Sequence, residues 1–87
     1  MNQTSQQSMH ISEIRDLANR FSADAIEKCI QLAMENKENP CYSASELEDA
    51  MNVMAKANFV KSQMEQGMSL AEAIRDLGKR IRSVQGD

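Results

Sequence analysis

The stretch LEDAMNVMAKANFVKSQMEQGMSLAEAIRDLGKRIRSV, residues 47–84, decides the fold. In its first half Leu47, Ala50, Met51, Val53, Met54, Ala57, Phe59, Val60 and Met64 are apolar. At about 100° per residue these positions cover well over half the circumference of a helix, so this helix is predicted to be central. Gly67 then suits a left-handed position after the helix end, and Ser69 with Glu72 three residues on forms a capping box that starts another helix at once. Leu70, Ala73, Ile74, Leu77, Ile81 and Val84 place a narrow apolar stripe on that second helix. The pattern predicts a tight helix hairpin whose second member packs back on the first.

Upstream, Ser43 and Ser45 each have a glutamate three residues on, Glu46 and Glu48, giving two overlapping capping boxes for the central helix. With Ser43 as the cap, Tyr42 is placed to staple onto Leu47. Residues 39–42 read as a loop, because the residue before proline is disfavoured in a helix and Pro40 lacks an amide donor. Before the loop, Ala25, Ile26, Cys29, Ile30, Ala33 and Met34 form the stripe of a helix that ends within residues 35–37. Ser22 caps its start, Asp24 sits in its first turn, and Phe21 staples onto Ile26. A shorter first helix carries Ile11, Ile14, Leu17, Ala18 and Phe21, with Ser12 as candidate cap. The polar residues 1–8 lead to the expectation of a flexible tail over residues 1–10 and a single helical domain over 11–87.

The composition agrees. Gly occurs three times, Pro once and aromatic residues three times among 87 residues, and no strand-length alternation or fixed repeat is present. Residues of high helix propensity recur throughout, so the expected class is all-α, a compact bundle of three to four short helices with a C-terminal helix hairpin. The longest apolar run is a few residues, far short of the ~20 that cross a bilayer. Residues 1–8 carry neither a basic nor an apolar region of the kind a secretory signal needs. Two cysteines are too few for a disulfide framework, and the expectation is a cytoplasmic protein in which Cys29 and Cys41 are free thiols. Cys29 falls on an apolar stripe and reads as packing, whereas Cys41, in the loop before a helix, is the candidate reactive thiol.

Charge is unevenly spread. Of ten Lys and Arg and thirteen Asp and Glu, residues 75–87 hold four cations and two acids, leaving six cations and eleven acids for residues 1–74. Arg75, Lys79 and Arg82 recur at four- and three-residue spacings and share one helical face, opposite the apolar stripe. They are candidate partner-binding residues. The alternative is a solvated face in which the cations complement the helix dipole and Arg80 pairs with Asp76 one turn back.

No catalytic, cofactor-binding or metal-ligating residues are assigned. His10 is the only histidine, no nucleophile stands at motif spacing from it, and the spacing of Cys29 and Cys41 matches no zinc or iron–sulfur pattern. A chain this short buries only about 60% of the surface its unfolded form exposes, so pairing with a copy of itself would add stability. The apolar surplus of the central helix makes Met51, Met54 and Phe59 candidate interface residues. The sequence thus leads to a small non-catalytic helical protein acting by protein–protein contact, as a homodimer or an accessory or regulatory subunit of a larger assembly. The alternative is a regulator that binds nucleic acid through the basic face of the last helix.

Overall fold

The computed structural model describes residues 10–35, 37–42 and 46–85, the last three by backbone alone. Four helices follow in chain order: α1 (Ile11–Arg20), α2 (Ala23–Met34), α3 (Leu47–Glu65) and α4 (Leu70–Gln85). No strand occurs among the described residues, and the fold is an all-α bundle of short helices. Residues 1–9 of the expected tail over 1–10, the capping serines Ser43 and Ser45 and the side chain of Val84 lie outside the described residues.

The central helix has three neighbours. Each of α1, α2 and α4 packs principally against α3, so its broad apolar girth is covered from three sides. Ile14, Leu17 and Ala18 of α1, Ile26, Cys29 and Ala33 of α2, and Ala73 and Leu77 of α4 meet Ala50, Val53, Met54, Ala57 and Val60 of α3 in one buried cluster. Met54 is fully buried in this cluster, which corrects its reading as an interface residue, whereas Met51 and Phe59 are half-buried and Leu47 on the same helix is exposed.

The hairpin turn is built as its residues dictate. Gly67 has φ 113°, its amide donates to the Met64 carbonyl, and the Met68 amide donates to the Gln63 carbonyl, so two end carbonyls of α3 are satisfied. Ser69 Oγ then accepts from the Glu72 amide and Glu72 Oε1 from the Ser69 amide, both at 3.1 Å. At the start of α2, Ser22 Oγ accepts from the Ala25 amide at 3.1 Å. Two longer-range bonds brace that corner: the Ala23 amide donates to Glu65 Oε2 at 3.0 Å, and Asn58 Nδ2 donates to the Ala23 carbonyl at 2.9 Å.

Three local expectations are corrected. Helix α1 begins at Ile11 after His10 in a left-handed conformation (φ 52°), so Ser12 lies within its first turn and does not cap it. Met34 is exposed, because Ile26, Cys29 and Ala33 set the phase of the buried stripe and Met34 falls about 100° away from Ala33. Cys41 is neither free nor exposed: Asn39 Oδ1 accepts from the Cys41 and Tyr42 amides, turning the loop inward, and Cys41 is bonded to Cys29 in a disulfide with a Cα–Cα distance of 6.2 Å. The bond forms because the loop returns onto the buried face of α2, a proximity that helix spacing alone does not reveal.

Candidate functional site

Helix α4 turns Ala73 and Leu77 into α3 and leaves Leu70, Ile74 and Ile81 half-buried at the margins of that contact. Opposite them, Arg75, Lys79 and Arg82 are all exposed, on the single face their spacing predicts. The two acids among them are engaged elsewhere. Glu72 closes the capping box at Ser69, while Asp76 Oδ2 accepts from Gln63 Nε2 at 2.8 Å and from Arg80 Nε at 3.3 Å. The Arg80 guanidinium also lies over the Phe59 ring, 5.1 Å from its centroid, so the expected Arg80–Asp76 pair is part of the α3–α4 contact. Among the described residues, Arg75, Lys79 and Arg82 enter no ion pair.

These three cations border an open groove of about 720 Å³, with Met68, Ile74 and Gly78 contributing apolar surface and Glu72 and Asp76 interspersed. Gly78 stands in the middle of a helix, and a Cβ built there meets only the flexible Arg82 side chain, at 3.5 Å. No packing contact among the described residues therefore requires glycine at this position. Sequence reasoning located the three cations but missed the hollow beside them. The available signal was a glycine interrupting an otherwise clean helical pattern at residue 78.

The other candidates are dispersed. Met51 and Phe59 are half-buried against the chain's own core, and Phe59 lies beneath Arg80. His10 Nδ1 is 3.8 Å from Glu13 Oε1 at the opening of α1. Among the described residues no three His, Cys, Asp or Glu side chains converge on a point where a metal ion would sit. No described helix is long and apolar enough to cross a membrane. Burial, with Glu13 and then Asp49 nearby, raises the Tyr42 hydroxyl above the ordinary tyrosine value.

Comparison of the chain with protein-family models, with curated proteins and with solved structures finds no match. The fold class and the α4 groove are therefore the basis for a functional reading.

Proposed function

We propose that this chain is a non-catalytic helical accessory or regulatory subunit that works by protein–protein contact through the outer face of α4. One observation carries the reading: three exposed cations without ion-pair partners among the described residues border a groove with an apolar floor. A solvated face needs no hollow, and a protein partner uses both the charges and the apolar surface. The nucleic-acid alternative is weaker, because a phosphate backbone leaves the apolar floor unused and, among the described residues, no aromatic side chain lines the groove for stacking. Homodimerisation through α3 is no part of the proposal, since Met54 is spent in the core. The Cys29–Cys41 disulfide argues against the cytoplasmic setting expected from the sequence, because disulfides persist mainly in oxidising compartments.

The test replaces Arg75, Lys79 and Arg82 together by Gln. Affinity capture from a native extract should lose its partner with the triple variant, and the unaltered protein should show no salt-sensitive binding to DNA or RNA. Duplex binding whose log K falls by about 0.9 per contact against log salt would move the function to nucleic acid. Capture indistinguishable from wild type would leave the α4 face without a role.

A further inference from the structure

We propose that the α4 groove takes an acidic amphipathic helix of a partner protein, seating an apolar side chain over Gly78 and its carboxylates on Arg75, Lys79 and Arg82. The inference rests on the protein-contact reading above and names the chemistry of the partner. Glycine is the poorest helix former apart from proline, and among the described residues a Cβ at position 78 would meet only the flexible Arg82 guanidinium, at 3.5 Å, so its missing side chain opens space on the groove side. It deepens the floor between Ile74 and Arg82, where a ligand side chain approaches the α4 backbone.

The rim sets the charge of the occupant. Arg75, Lys79 and Arg82 rise along the axis in steps of about 6 and about 4.5 Å, which match carboxylates placed one turn apart on a second helix. The guanidinium groups of Arg75 and Arg82 suit bidentate contact with a carboxylate. Charge complementarity thus favours an acidic partner, and the apolar floor favours one with an apolar stripe beside its acids. The apolar surface of Met68, Ile74 and Gly78 separates this occupant from a polyphosphate, which has no apolar side chain to place there.

The probe is a fluorescent synthetic helix carrying Leu at helical spacing and Glu on the adjacent face, measured by anisotropy against the full chain. Controls are the same peptide with Glu changed to Gln, a scrambled peptide of equal composition, and a short DNA duplex. The amphipathic acidic peptide should bind, more weakly as salt rises, and all three controls should bind at least about tenfold more weakly. Both the Arg75→Gln/Lys79→Gln/Arg82→Gln variant and Gly78→Leu should lose about tenfold or more in affinity. Leu is a better helix former than Gly, so Gly78→Leu should keep its helical circular dichroism and show a thermal midpoint no lower than that of the wild type.

Unchanged affinity for folded Gly78→Leu overturns the groove as the seat. Equal binding of the scrambled peptide, tighter binding of the duplex, or salt-sensitive self-association blocked by Gly78→Leu overturns the acidic helix as occupant. The two readings fail separately. If no acidic peptide binds yet the triple variant loses its partner in affinity capture, the contact reading stands and the partner class falls; if capture is also unaffected, both fall.

Discussion

Cys41 is bonded to Cys29, and through that bond the loop after α2 is held against the buried face of the helix it leaves. The cross-link joins residues separated by 12 positions, a short loop for which constraint of the unfolded chain stabilises by about 3 kcal/mol. A dithiol reductant should therefore lower the thermal midpoint of the wild type and leave that of Cys29→Ala/Cys41→Ala unmoved. Equal midpoints with and without reductant, together with two titratable thiols in the native protein, would remove the bond from the account.

Met54 separates a core role from an interface role. It is fully buried between α3 and its neighbours, so Met54→Ala should destabilise the chain by about 2–5 kcal/mol, read by urea denaturation, with no change in molecular mass by light scattering. A folded Met54→Ala that loses mass relative to wild type would restore the residue to an interface.

Gly67 in the hairpin turn and Gly78 within α4 should respond in opposite directions. Gly67 at φ 113° occupies backbone space that L side chains rarely adopt, and Gly67→Ala should cost about 1 kcal/mol or more even though no atom of the described residues crowds the site. Gly78 has ordinary helical backbone, and Gly78→Ala should stabilise α4 by about 1 kcal/mol. Paired thermal denaturation of the two variants checks the contrast, and a loss of stability in both would show that Gly78 serves packing.

What was legible in the sequence is what short-range physics determines. Gly67, Ser69 and Glu72 specify the hairpin through backbone and capping side-chain hydrogen bonds within six residues, and Ser22 specifies the start of α2 through a bond three residues away. The apolar girth of α3 correctly announced a central helix, but periodicity does not say whose surface covers it, and the neighbours proved to be the chain's own α1, α2 and α4. Likewise the Cys29–Cys41 bond and the Asn58–Ala23 brace, 35 residues apart, depend on which surfaces meet in three dimensions. At the candidate site the cations followed from their spacing. The groove did not, because a hollow is made by the side chain that Gly78 lacks.

The Asn58 brace is itself measurable. Its side-chain amide donates to the Ala23 carbonyl at 2.9 Å in a half-buried corner that also holds the bond from the Ala23 amide to Glu65. Asn58→Ala should cost about 1 kcal/mol, and a double-mutant cycle with Glu65→Ala should show non-additivity, since both bonds fix the same first turn of α2. Strict additivity would mean that the two bonds act independently.

Tyr42 gives the protein a dependence on alkaline pH whose sign follows from its surroundings. Burial raises the hydroxyl above its ordinary value of 10.0, and Glu13 and Asp49 add to the shift because a phenolate would face two carboxylates. The folded chain therefore holds this proton to higher pH than the unfolded chain does. Its contribution to stability is complete below the ordinary tyrosine value and is lost as pH rises through the folded value, where the unfolded chain has already released its proton. Ultraviolet titration of the single tyrosine should give a midpoint above that of the urea-unfolded chain. Glu13→Gln and Asp49→Asn should each reduce the difference without abolishing it, because burial is the larger cause. Tyr42→Phe should flatten the loss of stability above pH 10.0 to the extent that this group causes it. A native midpoint equal to the unfolded one would mean that Tyr42 is solvated in the folded protein and that its neighbours do not reach it.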